Sequence, residues 1–171
     1  MAADLRAYVD GSRDSKRELD LLQRIRALPQ AMREPLLVPL LDLNATVALA
    51  LIDRAQLSRA AYLAIFQRGL DEADASSIYQ WMAATVVPLG WQKVFSVLRQ
   101  ALTVNPRRVA AALYHVPALC GSEQTLSGSL PTTTLLDEFC QLVELCHAKG
   151  YMVCTDERAF QVIRDRARRT T

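Results

Sequence analysis

The segment Ala45–Ala55 limits what this chain can fold into more than any other. Asn44 stands before it as a helix N-cap residue, and Val47, Ala48, Leu49, Ala50, Leu51 and Ile52 leave almost no polar stripe on the helix that follows. A helix that is apolar nearly all round needs neighbours on every side, so this one is expected at the centre of the fold.

Composition indicates what those neighbours are. Ala (24) and Leu (26) dominate the apolar residues, whereas Val and Ile together number 18. Ala and Leu head the helix propensity scale, and β-branched residues favour strands. No stretch alternates apolar and polar residues with period two. The prediction is an all-α fold of eight or nine short helices joined by short turns. At 171 residues, 51% apolar and a net charge of +2, the chain reads as a single globular domain, 1–171, and not as a disordered one. Six glycines and seven prolines exclude a collagen-like or low-complexity chain.

Caps and apolar spacing place the helices. Residues 1–14 are polar, carry a turn signal at Asp10-Gly11-Ser12, and are expected as one short helical turn or a loose N-terminal arm. Ser15-Lys16-Arg17-Glu18 reads as a capping box for a helix that carries Leu21, Leu22, Ile25 and Leu28 and stops at Pro29. Pro35 suits the first turn of the next helix, and Pro39 kinks it. Ser58 caps a helix with Tyr62, Ile65, Phe66 and Leu70 inward. The acidic run 71–74 leads into a helix with Ile78, Trp81 and Met82 that closes at Pro88 and Gly90, and Trp91–Thr103 turns Val94, Phe95, Leu98 and Leu102 inward. Asn105-Pro106 is a strong start signal for a helix running through Val109, Leu113 and Tyr114 and expected to stop near Pro117. Residues 120–133, rich in Gly, Ser and Thr, form the one long loop. Two helices follow it. The first carries Leu135, Phe139, Leu142, Val143 and Cys146 and is closed by Gly150; the second is opened by Thr155-Asp156-Glu157 and carries Phe160 and Ile163.

Tyr62–Leu70 aligns with Val94–Leu102 at an offset of 32 residues, with large apolar residues coinciding at the core positions. A Val-Pro pair punctuates three helices: Val38-Pro39, Val87-Pro88 and Val116-Pro117. On these residues the stretch 33–119 resembles the stacked helical hairpins of HEAT and armadillo-like α-solenoids. That resemblance implies stacked antiparallel helical hairpins, although HEAT units run about 40 residues, longer than this offset. The residues taken by themselves equally allow an irregular helical bundle.

Sequence patterns offer little chemistry. His115, Cys120, Cys140, Cys146, His147 and Cys154 cluster in the C-terminal third, but in no Cys-x2-Cys or His-x3-His spacing. They are expected as plain core or interface thiols, not a metal site. A Cys/His nucleophilic pair has one opening, His115 with Cys120 across a break at Pro117. There is no phosphate-binding glycine loop and no Gly-x-Ser-x-Gly or His-Glu-x-x-His motif. No cofactor and no catalytic residue are assigned. Unbroken apolar runs such as Val47–Ile52 are far short of a bilayer span, and Met1–Tyr8 does not read as a secretory signal. The expectation is a cytoplasmic protein with reduced thiols and no membrane span.

What remains is architecture. Many short helices and a slightly positive mean hydropathy of +0.07 point to a non-enzymatic protein–protein interaction module. It would be a subunit, adaptor or scaffold of a larger assembly, bound to a protein partner or to a second copy of itself. Trp81 and Trp91 flank the Val87–Gly90 corner and read first as core; they are also candidate interface residues, because Trp is enriched in binding hot spots. The alternative is a nucleic-acid-binding helical protein using the C-terminal cluster Arg164, Arg166, Arg168 and Arg169, whose charges would neutralise phosphates.

Overall fold

The structure, a computed structural model, describes residues 1–11, 14–121, 132–153 and 161. Nine α-helices and one 3-10 turn, and no strand, occur among the described residues, so the fold is all-α. The loop expected at 120–133 falls largely, and the helix expected from Thr155 almost wholly, outside the described residues. The chain divides into two compact units, Met1–Ile65 and Phe66–Thr171.

The first unit contains α1 (Ala2–Asp10), α2 (Ser15–Arg26), α3 (Gln30–Leu37), a 3-10 turn (Val38–Leu40) and α4 (Leu41–Ala55). Residues 2–10 form a helix of 9 residues, longer than the single helical turn and unlike the loose arm expected for 1–14. Leu5, Tyr8 and Val9 lie on one face, are all but fully buried, and pack α1 against α2 and α4. The capping box is also displaced by one residue. Asp14, not Ser15, is the N-cap of α2, and its Oδ1 accepts the Lys16 amide at 2.9 Å. Glu18 is drawn away from the cap. Its Oε2 accepts from the Tyr8 hydroxyl at 2.7 Å, and its Oε1 meets Arg54 Nη1 at 2.7 Å. Pro29 stands at the N-cap of α3, so Pro35 lies a turn deeper in that helix than expected. Pro39 turns the chain into the 3-10 segment.

Asn44 leaves helical geometry (φ −155°, ψ 96°), and its Oδ1 accepts the Val47 amide at 3.2 Å, which is the cap the sequence predicts. Beyond it Val47, Ala48, Leu49, Leu51, Ile52 and Ala55 are buried. Thr46, Ala50 and Asp53, spaced by four and three residues, are exposed, so the central helix does keep one solvent stripe. A methyl group on that stripe costs little to hydrate, which is why Ala50 hides it in the sequence. The stretch Gln30–Ala55 is long and apolar enough to cross a membrane by length and composition alone. An expectation built on unbroken apolar runs passes over it. Its backbone is broken at the 3-10 turn and at Asn44. Leu37, Leu41, Leu51 and Ile52 lie in the core.

Both α2 and α4 end on side-chain donors. Arg33 Nε donates to the Leu28 carbonyl at 3.0 Å and Nη2 to that of Arg26 at 2.9 Å. Its Nη1 donates to the carbonyls of Ala55 at 3.1 Å and Gln56 at 3.0 Å. One guanidinium thus satisfies carbonyls that two helix C-termini leave without amide partners. Gln56 ends α4 in the left-handed region (φ 54°). The Tyr62 hydroxyl donates to the Ile52 carbonyl at 3.1 Å and accepts the Leu57 amide at 3.2 Å. Burial pushes that phenol above its ordinary pKa.

The second unit begins within α5 (Arg59–Glu72) and continues with α6 (Ile78–Leu89), α7 (Trp91–Ala101), α8 (Pro106–Gly121) and α9 (Thr132–Ala148). Helix α6 packs on α7 and α8, and α9 packs on both α7 and α8. The core follows the predicted spacing: Phe66, Leu70, Ile78, Met82, Val94, Phe95, Leu98, Val109, Leu113, Phe139, Leu142 and Cys146 are all buried. The residue pairs at the offset of 32, Tyr62 with Val94, Ile65 with Val97, Phe66 with Leu98 and Leu70 with Leu102, are buried alike.

Three features of this unit differ from, or add to, the sequence expectation. Trp81 and Trp91 are each only 4% exposed, so neither ring is available as the surface anchor an interface needs. Trp81 lies on Gly69 of α5, and Trp91 stacks on Phe95 with ring centroids 5.6 Å apart. Helix α8 does not stop at Pro117 but runs to Gly121. A proline inside a helix costs roughly 3 kcal/mol in a lost hydrogen bond and a clash. Leu113, Val116, Leu119 and Cys120, buried on one face across that site, offset the cost. Gly90 (φ +75°) alone joins α6 to α7, a conformation that excludes most side chains.

Candidate functional site

The outward side of α8 carries the most distinctive surface of the second unit. Its inward face repeats at Val109, Leu113, Val116 and Cys120. Arg107, Ala111 and Tyr114 follow the complementary spacing and point away from that core. Ala75 and Ser76, before α6, and Gly150, Tyr151 and Met152, after α9, line the same surface as this strip. Together they enclose an open groove of about 830 Å³ with Ala110 and Ala111 among its lining residues.

Each wall has a local cause. Asp74 shapes the α6 side: its Oδ1 accepts the amides of Ser76 at 3.0 Å and Ser77 at 2.7 Å and the Ser76 hydroxyl at 2.8 Å. Those bonds from Ser76 and Ser77 hold its carboxyl down at a pKa of about 2. On the α9 side the Gly150 amide donates to the His147 carbonyl at 2.8 Å, and the Tyr151 amide reaches back to that of Cys146 at 3.0 Å. This is a Schellman closure with Gly150 (φ +81°) in the left-handed position, as the sequence predicts. His147 Nε2 then accepts the Val153 amide at 3.2 Å and fixes the residues that follow the turn.

The groove is aromatic. The His115 ring lies edge-on to two tyrosines, 5.5 Å from Tyr79 and 5.0 Å from Tyr114, and its Nε2 lies 3.4 Å from the Ala75 carbonyl. Tyr114 is 55% exposed and Met152 76%, and Tyr151 is exposed as well. Arg107 carries the one formal charge among the described lining residues, and no ion pair joins it there. Flat rings and a thioether can take up an apolar partner, while the guanidinium and the phenols supply polar ends.

The predicted chemistry comes together less well. His115 and Cys120 sit on the same continuous helix, because Pro117 does not break it, and Cys120 is fully buried. The opening for a Cys/His pair across a break is therefore removed. Cys146 is buried, and desolvation pushes its thiol above the ordinary value. Among the described residues no group of three or more His, Cys, Asp and Glu side chains comes together. Cys154 lies outside the described residues, and so do Arg164, Arg166, Arg168 and Arg169, the candidate nucleic-acid contacts.

Sequence reasoning missed the groove. Tyr114 reads as one more apolar residue of its helix, and nothing local marks it as facing outward. The one available signal is that Val109, Leu113 and Val116 already fill a complete inward face, which leaves Tyr114 off it. Compared with known proteins, the chain matches no family model, no curated protein and no solved structure.

Proposed function

We propose that this chain is a non-enzymatic helical interaction module, and that the α8 groove receives an apolar segment flanked by acidic residues. One observation carries the reading: exposed Tyr114, Tyr151 and Met152 line a single groove with the unpaired cation Arg107. Tyrosine and arginine are enriched among the residues that dominate binding energy, and exposed Met suits adaptable apolar contact. The lone positive charge favours acidic flanks over basic ones. The module would serve as a subunit or adaptor. A HEAT- or armadillo-like stacking of its helices belongs to the same proposal, supported by the matched burial at the offset of 32 residues.

Selection of displayed peptides against the full chain tests this. Peptides with apolar cores and acidic flanks are expected to emerge, with Tyr114→Ala or Arg107→Glu weakening them about tenfold or more, the size of a typical hot-spot loss. Peptides that bind these variants unchanged, or concentration-dependent self-association that Tyr114→Ala abolishes, would replace the proposed partner. The nucleic-acid alternative rests on Arg164, Arg166, Arg168 and Arg169. Salt-dependent retention on a nucleic-acid column, lost when all four become Glu, is its own test.

A further inference from the structure

A second recess in the same unit, sharing no residue with the groove, is lined by the end of α5, the C-terminal half of α7 and the start of α8. It encloses about 340 Å³, which is in the range of sites for small molecules. Its apolar wall is Leu70, Val97, Ala101 and Val104. Its charged groups are Asp71 and Arg108, which form no ion pair with each other although they share the recess. Arg108 is the unusual member. Its Nη1 is sealed from solvent and finds no acceptor, the one such side-chain atom among the described residues. A buried guanidinium nitrogen without a partner is costly, and an arginine relieves that cost by turning to an acceptor that offers two oxygens.

We propose that this recess binds a small apolar α-amino acid. The ligand carboxylate engages the Arg108 guanidinium, its ammonium engages Asp71, and its side chain lies on Leu70, Val97, Ala101 and Val104. Two opposite charges held apart on the protein match two opposite charges held apart on the ligand. A simple anion would leave Asp71 repelling it, and a simple amine would leave Arg108 unsatisfied. This site is distinct from the α8 groove and stands or falls without it.

Titration calorimetry on the full chain distinguishes the outcomes. Leucine is expected to bind saturably. Leucinamide, which lacks the carboxylate, and 4-methylpentanoate, which lacks the amine, are each expected to bind about tenfold more weakly, the usual worth of one charge-assisted hydrogen bond. Arg108→Gln and Asp71→Asn should each reproduce that loss for leucine. Arg108→Gln should unfold no more easily than the parent chain, since it removes an unsatisfied donor. Arg108→Lys keeps the charge without the fork, and should also lose affinity while staying folded. No saturable leucine binding overturns the proposal, and so does leucine binding that survives both charge-removing variants.

Discussion

The indole of Trp81 lies directly on Gly69. A Cβ at Gly69 would stand 2.7 Å from Trp81 Cγ and Cδ2 and 2.8 Å from its Cβ. Those atoms are close to the Trp81 backbone, so they cannot swing aside as the tip of a flexible side chain would. Gly69→Ala should therefore destabilise the protein by about 1–3 kcal/mol, the range for overpacking. Helix propensity alone predicts a gain of about 1 kcal/mol from the same change. Urea unfolding decides between the two, and a variant more stable than the parent would show that α5 and α6 are not in this contact.

Arg33 should be irreplaceable by lysine. Its Nε, Nη1 and Nη2 reach four carbonyls at 2.9–3.1 Å, and an ammonium on a flexible stem cannot span them. Arg33→Lys is expected to cost about 1–3 kcal/mol although the charge is kept. A thermal unfolding midpoint equal to the parent's would mean that the charge, and not the fork, holds the two helix ends.

Asp74 supplies an acid-dependent contribution. Its folded-state pKa of about 2 lies below the ordinary 3.8, so the unfolded chain binds the proton more readily. The contribution is complete above roughly pH 4 and is lost as pH falls through about 2. Carboxyl titration followed by NMR should place the Asp74 midpoint well below the ordinary 3.8, near 2. Asp74→Asn should narrow its stability difference from the parent over the same interval.

Gly150 tests the groove wall by conformation alone. It lies at φ +81° with nothing within 4 Å of an added Cβ, so the cost of Gly150→Ala is that of the left-handed backbone, about 1–2 kcal/mol. Gly150→Asn should cost less, because asparagine tolerates that region. Equal losses for the two variants would point to something other than backbone conformation.

Most helices were legible because their signals are local. Asn44, Ser58, Asn105-Pro106 and Gly150 act on amides or carbonyls within a few residues, and each does what its sequence context predicts. Burial at Ile25, Phe66, Leu98 and Phe139 follows from spacing alone. The misreadings occur where a distant partner intervenes. Residues 2–10 look polar, yet Leu5 and Tyr8 find α4 and Glu18. Pro117 looks like a stop, yet a long buried face carries the helix through it. The groove needs α8 to meet segments some forty residues away on either side, and no periodicity within α8 encodes that meeting.

Arg33 also bears on how the first unit comes apart. Helix ends ordinarily fray one at a time, but the last turns of α2 and α4 share a single guanidinium. Releasing either end leaves the side chain with half its acceptors, so opening one makes opening the other easier. Amides in those two turns should therefore exchange with solvent deuterium at matched rates, and Arg33→Lys should separate them. A sequence records two helix ends some thirty residues apart; the folded chain opens them as one.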